Sequence, residues 1–439
     1  MQTKRSPLTS IAIAAIAAGT LAAAGLAAAQ SRTDVHRDAA TRNVGDDPFM
    51  MEYARAFYCN LADDNNQIVL NSRGWNYPSR PDNPEYRIPA TRIFDDVTFV
   101  GNHYVGQYLI QTPDGLVQVD AGNNASEVQT YNYPAMLALG LGPGYPLKGM
   151  FITHGHGDHD GGANWLKINL NPDIFLGSAD ITSAKIGSYN PTPIDSTDLS
   201  LRQMSIGGKS FWILPTPGHT AGSTSAVVEV MDHGKPVRVL INGGQSMSSS
   251  SVSAVANYLT SIERTYVVVK ALNVEGVMTP HIYWDGEGQK MREILASGRT
   301  NPSQHVYGHE SVVRQMVVAR ECSAAWLSRL DTTTVLPVWR YNTIEFVNGA
   351  PTPNKVSARV KSGWGPLANQ KVEFSVAETG ASCTATTDAN GVASCAVHPL
   401  RPHKDRLKAR FAGAESADFV DLPAETTALV CSNGNCKTK

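Results

Sequence analysis

The chain carries no surplus of either charge: over 439 residues, 37 Lys and Arg stand against 39 Asp and Glu, a net of −2. No long-range field therefore draws it to nucleic acid or to an anionic membrane surface. Charged residues make up only 17% of the chain and apolar residues 42%, which excludes an extended disordered protein or a coiled coil. Beyond residue 29 no apolar run approaches the roughly 20 residues that cross a bilayer. A Cys-x-x-Cys pair is missing, and with it the usual thiolate metal clip or redox couple. No long internal repeat occurs, so a solenoid is excluded too. What remains is a globular chain that, at about 150 residues per domain, has room for two or three folded units.

Residues 1–29 begin with Lys4 and Arg5, continue as an apolar Ala/Ile/Leu run from Ile11, and end in Ala27-Ala28-Ala29 before Gln30. That is the pattern of a secretory signal peptide. An uncleaved anchor is the competing reading, because the run is close to bilayer length, but its alanine richness and small-residue exit favour cleavage. The expectation is export, to the periplasm or beyond, where the six cysteines can pair. Cys383 and Cys395 flank Thr387-Asp388-Ala389-Asn390-Gly391, and a hairpin register joining 386 to 392 also joins 383 to 395. Cys431 and Cys436 bracket a short loop near the end, which leaves Cys59 with Cys322 by elimination.

Residues 30–92 are polar and broken by Asn, Asp and Pro, apart from an amphipathic stretch near 50–60, and read as an arm packed on the domain C-terminal to it. From residue 93 the pattern changes to short β-rich runs at 97–100, 108–111 and 116–120, separated by glycine and Pro-Asp-Gly turns. A helix over 131–141, a buried strand over 149–153 and a helix over 161–170 come next. Strands at 210–214, 224–230 and 237–241 then precede long helices at 253–271 and 311–330. Such alternation predicts a layered α/β domain over 93–346. Residues 347–354, rich in Asn, Gly and Pro, read as a linker. Alternating β segments at 356–360, 371–376, 382–387, 392–397 and 407–411 predict a small β-sandwich over 355–420, with a tail over 421–439.

The decisive segment is Thr153-His154-Gly155-His156-Gly157-Asp158-His159, at the end of the strand expected over 149–153. Three imidazoles and a carboxylate in so short a run suit a borderline divalent ion such as zinc, and two glycines let the backbone turn tightly enough to aim adjacent side chains inward. His219, in Pro217-Gly218-His219-Thr220-Ala221-Gly222-Ser223, lies 63 residues beyond His156, and His281 lies 62 beyond His219. Each therefore sits on its own loop at one edge of the sheet. Other candidates are weaker. His103, His233, His305 and His309 read as surface or satisfied core. Ser246–Ser251 reads as a solvated loop or a carboxylate contact, and Tyr104 and Trp284 as packing or as pocket wall.

These residues resemble the metallo-β-lactamase fold superfamily, in which an H-x-H-x-D-H loop, a G-H-T-x-G-S histidine and a final histidine bind two metal ions. The resemblance runs from about residue 97 to 330 and takes in Val119-Asp120-Ala121-Gly122 ahead of the metal loop. It implies an α/β fold, an αβ/βα sandwich with its site between two sheets, and two zinc ions. His154, His156 and His219 would hold the first, and Asp158, His159 and His281 the second. Many members, including lactonases and the thioesterases that hydrolyse glutathione adducts, place a bridging aspartate in a Gly-Asp motif after the strand expected here at 237–241. This chain reads Asn242-Gly243-Gly244-Gln245-Ser246 instead. Without that carboxylate it looks most like the third subclass of metallo-β-lactamases, whose members are exported. Arg320-Glu321-Cys322 is similar to a group of subclass-three-like hydrolases. The C-terminal β segments resemble bacterial immunoglobulin-like modules, with Lys371-Val372-Glu373-Phe374 ahead of a Thr-Asp-x-x-Gly turn.

The resemblance thus implies an exported di-zinc hydrolase of small molecules, most like one that opens β-lactam rings, in which metal-activated water attacks the carbonyl and Asp158 orients it. A lactonase, esterase or thioesterase on the same fold is the alternative enzyme. Outside enzymes, the alternative is a surface or carbohydrate-binding protein whose C-terminal module takes a protein or glycan partner. Asp120 reads either as acceptor for a ligand N–H or as a turn cap.

Overall fold

The computed structural model describes residues 31–45, 59, 87–181, 189–244, 251–282, 287–347, 351 and 355–431. The leader expected at 1–29, the helix expected near 50–60 (Cys59 apart), the serines at 246–250 and Trp284 lie outside them. The first sheet holds seven strands in chain order: β1 (Arg87–Arg92), β2 (Val97–Asn102), β3 (Gly106–Thr112), β4 (Gly115–Val119), β5 (Leu147–Phe151), β6 (Asp173–Gly177) and β7 (Thr192–Ile194). β1 to β4 run antiparallel and β4 to β7 parallel. The second sheet, of order β12-β11-β10-β9-β8, is built from β8 (Arg202–Ile206), β9 (Lys209–Pro215), β10 (Thr224–Asp232), β11 (Lys235–Ile241) and β12 (Gly276–Met278).

The two sheets pack face to face because alternate residues of their strands are apolar. Phe99, Tyr108, Ile110 and Phe151 of the first meet Phe211, Ile213, Val228 and Val239 of the second, all fully buried. Each such side chain contributes about 1.5–3 kcal/mol. The outer faces are covered as well. Leu109, Leu116 and Met150 pack with Leu166 of α2 (Ala163–Leu170), whereas Val227 and Leu240 pack with Val269 of α3 (Val252–Ala271) and Val317 of α5 (His309–Leu330). Coverage on both sides explains why β4 is buried at every position. The helix α4 (Glu287–Ser297) leads into α5. This is an αβ/βα sandwich.

The arm contains a helix that its polar sequence does not announce, α1 (Arg32–Asn43), started by Ser31, whose Oγ accepts from Asp34 N at 3.2 Å. It packs on α5, where buried His36 Nδ1 meets Glu321 Oε2 at 2.7 Å, and a disulfide joins Cys59 to Cys322. Among the described residues no helix is long and apolar enough to cross a membrane.

The C-terminal all-β unit has different limits from those expected. It contains β14 (Asn342–Phe346), β15 (Val356–Ser362), β16 (Gly365–Pro366), β17 (Lys371–Val376), β18 (Ser382–Thr386), β19 (Val392–Cys395), β20 (Arg406–Phe411) and β23 (Ala424–Leu429). β14, expected to close the α/β domain, pairs with β15, so 347–354 joins two strands of one sheet and is no interdomain linker. β23, expected within the tail, completes the order β18-β17-β20-β23. The two sheets close over Val360, Phe374, Ala393 and Phe411. Cys383 and Cys395 are bridged, but not across a hairpin: β18 pairs with β17 and β19 with β15, so the bond staples one sheet to the other at a Cα separation of 6.3 Å. Cys431 is also disulfide-bonded, and its expected partner Cys436 lies outside the described residues. A three-stranded sheet of β13 (Val338–Arg340), β22 (Phe419–Asp421) and β21 (Ala414–Glu415) docks this unit on the sandwich, with Arg340 Nε donating to Asp421 Oδ1 at 2.7 Å and Leu422 buried beside Val313.

Candidate metal centre

The C-terminal ends of β4, β5, β9, β11 and β12 meet at one edge of the sandwich. Thr224 N, opening β10, donates to Thr153 O at 2.9 Å, Asn242 N to Met278 O at 3.1 Å, and Gly106 N to Pro280 O at 2.7 Å. The loops leaving these ends bring together two triads, His154 with His156 and His219, and Asp158 with His159 and His281; in each the three polar atoms lie within 4.8 Å of one another. His156 Nδ1 stands 3.1 Å from both His154 Nε2 and His219 Nε2. His159 Nε2 stands 3.1 Å from His281 Nε2, and Asp158 Oδ2 is 3.6 Å from each. The turn before His219 needs Gly218, at φ +148, because a Cβ there would lie 2.5 Å from Tyr258 Cα.

The surrounding hydrogen bonds assign the ring protons. Asp120, fully buried at φ +55 after β4, accepts from Thr153 N at 2.7 Å, from Thr153 Oγ1 at 2.9 Å and from His159 Nδ1 at 2.8 Å. The single hydroxyl proton of Thr153 is thus committed to Asp120, and its oxygen is left to accept from His154 Nδ1 at 3.1 Å. His281 Nδ1 faces the Tyr104 carbonyl at 3.4 Å. His154, His159 and His281 therefore turn bare Nε2 lone pairs inward. Lone pairs that face one another at 3.1 Å repel unless a cation lies between them. Five imidazoles and one carboxylate, with the outer nitrogens of His154, His159 and His281 held by acceptors, fit a borderline divalent ion such as zinc.

Electrostatics favours the neutral ring at His154 and His281. Burial and the neighbouring imidazoles hold His154 well below the usual histidine range, and burial with His159 beside it pulls His281 down to about 3. Burial would lower His159 too, but the Asp120 carboxylate outweighs it and the net direction is upward. Burial resists ionisation of Asp158, yet His159 and His281 leave its carboxyl below the ordinary range.

Residues 101–233 match the family model of the metallo-beta-lactamase superfamily. The chain carries a metallo-β-lactamase superfamily domain. A hydroxyacylglutathione hydrolase of Pseudomonas entomophila (strain L48) is 32% identical over 107 residues, which make up 24% of this chain and 34% of that protein. The chain thus spans about a third of the length of that curated relative. Among solved structures, a subclass B3 metallo-β-lactamase of Bradyrhizobium japonicum is similar over 53% of this chain and 92% of its own, at 20% identity and a TM-score of 0.40. A native metallo-β-lactamase of Legionella gormanii is similar over 58% and 97%, at 19% identity and a TM-score of 0.42.

Within the metallo-β-lactamase domain, Asp120 acts both as acceptor for a ring N–H and as the brace of the Thr153 turn. Tyr104 lies at the centre, its ring edge-on to His281 at a centroid distance of 5.3 Å. His233 bonds Thr300 O at 2.7 Å, His309 faces Val274 O at 3.2 Å, and His305 packs on Phe94; none joins a triad, nor does His103. Sequence reasoning missed Asp180, whose bonds to two site loops come from an element with no motif of its own. A separate cavity of about 540 Å³ opens at the far end of the sandwich beside Asp96, Lys209, Trp212 and Glu229, and includes no triad residue.

Proposed function

We propose that this protein is an exported di-zinc hydrolase whose substrate is a cyclic amide of the β-lactam kind. The observation that supports it most is the pair of triads with inward imidazole lone pairs, next to a β11 end that reads Asn242-Gly243-Gly244 and offers no bridging carboxylate. His154, His156 and His219 would hold one ion, and Asp158, His159 and His281 the other. Zinc in such a setting acidifies a coordinated water and polarises a carbonyl oxygen. The chain's own groups do the rest. Asp120 and Thr153 keep protons on the outer nitrogens of His154 and His159, so the inner ones remain lone-pair donors. Asp158, with its side chain 22% exposed, is ionised at the mouth of the site, where its carboxylate can accept a hydrogen bond from the attacking water through the oxygen turned away from His159 and His281 and fix its orientation. Cys59, Cys322, Cys383 and Cys395 are tied in disulfides and supply no nucleophile. Those bridges, with the leader-like residues 1–29, favour export to an oxidising compartment.

A thioesterase is the second reading, favoured by the match to a hydroxyacylglutathione hydrolase. Against it stands the stretch Asn242-Gly243-Gly244-Gln245-Ser246, which lacks the Gly-Asp motif that the thioesterases of this fold carry after the corresponding strand. Purified protein is expected to hydrolyse nitrocefin or a carbapenem, to lose that turnover to a chelator and regain it with zinc. Asp158→Ala should cost about 10²–10⁴-fold. Chelator-sensitive turnover of a thioester or lactone alone would keep the centre and remove the β-lactam reading.

A further inference from the structure

We propose that Asp180 is the positioning residue for the three-histidine half of the centre and sets the metal affinity of that half independently of the other; this rests on the di-zinc reading above. Asp180 closes the short turn Ser178–Asp180 after β6 and is 2% exposed. Its Oδ2 accepts from Gly155 N, between His154 and His156, at 2.8 Å and from Thr220 Oγ1, next to His219, at 2.6 Å. Its Oδ1 accepts from Gly222 N at 2.8 Å. One buried carboxylate thereby clasps the backbone of both loops that present the three histidines. Ser223 Oγ braces the same turn, 3.1 Å from Thr220 N and 2.8 Å from Thr220 Oγ1. The fit is tight: a Cβ on Gly222 would stand 2.5 Å from Asp180 Cγ.

None of those three bonds reaches the second triad. His159 is held instead by Asp120, and His281 faces the Tyr104 carbonyl. Asp120 thus reaches both halves, His159 directly and His154 through Thr153, whereas the three Asp180 bonds all fall on the loops that present the three-histidine half. An amide at 180 keeps the shape of the side chain but offers hydrogens where the loops already offer three donors, so at least one bond is lost and a buried N–H is left unpaired.

The test titrates cobalt(II) into the full chain, with each half isolated in turn. In a His281→Ala background, which cripples the second triad, Asp180→Asn is expected to raise the cobalt dissociation constant about 10–100-fold. In a His219→Ala background, which cripples the first, the same change is expected to shift it by less than about twofold, as for independent sites. Equal weakening of both halves, or no weakening of the first, overturns the proposal. No cobalt bound by the unmodified protein overturns the di-zinc reading and the clasp with it. Should Asp180→Asn fail to fold by circular dichroism, Thr220→Val removes a single donor and decides the matter: a few-fold loss confined to the three-histidine half supports the clasp, and a uniform or absent loss overturns it.

Discussion

The α/β sandwich and the C-terminal β unit are both two-sheet structures closed over an apolar core, yet they place polar residues in different ways. At one edge of the sandwich, strand ends bury Asp120, Thr153, His154 and His159 almost completely. In the C-terminal unit β17 alternates, with Val372, Phe374 and Val376 inside and Lys371 and Glu373 outside. The buried carboxylate there, Asp405, is answered locally by Arg401, whose backbone N lies 2.7 Å away and whose Nε lies 2.9 Å away. Burying polar groups opposes folding unless each finds a partner, so a cluster of them held in a folded core points to chemistry. Among the described residues the C-terminal unit carries no cluster able to hold a metal. The difference places the candidate metal centre in the sandwich.

That division can be broken experimentally. Phe374→Ala opens a cavity in the C-terminal core and is expected to cost about 3–5 kcal/mol of stability by denaturant unfolding, while the metal content per folded chain stays unchanged. Loss of metal with the fold intact would show that the two regions are not separable. A smaller effect lies at the seam between them. Buried Glu321 on α5 accepts from Arg320 Nη1, meets His36 of α1 and accepts from Trp339 N of β13, and Glu263 faces Arg320 from α3. Glu321→Gln is expected to cost about 3 kcal/mol by leaving buried charge partly unpaired. Burial opposes ionisation of Glu321, but Arg320 and His36 outweigh it and lower its carboxyl below the ordinary 4.5. Its contribution is therefore fully present above pH 4.5 and fades as pH falls toward the lowered value, so the stability of the variant should fall less steeply below pH 4.5 than that of the unmodified protein. Parallel acid curves for the two proteins would contradict this.

The triads are legible because their residues cluster in motifs: four of the six triad residues fall between His154 and His159, and His219 sits in a glycine-rich turn. Asp180 is not, since its partners lie 25 to 42 residues away and no periodicity links them. The sandwich strands with strong apolar runs, such as 116–120, were placed correctly to within a residue or so, whereas short ones such as β6, β7 and β12 gave too little pattern to read. The helix α1 lacks an apolar stripe, and its one local signal is the Ser31–Asp34 cap. The C-terminal limits were misread for a topological reason. A run of Asn, Gly and Pro marks a chain reversal equally well between domains and within a hairpin, and only the pairing of β14 with β15 separates the two.

In the reading proposed above, strand ends of the sandwich hold two metal ions in two distinct triads. Elemental analysis of the purified, unmodified protein tests it most directly. Two zinc ions per chain are expected, falling to one in His219→Ala and to one in His281→Ala. Less than one ion in the unmodified protein, or a content that neither substitution changes, would contradict it.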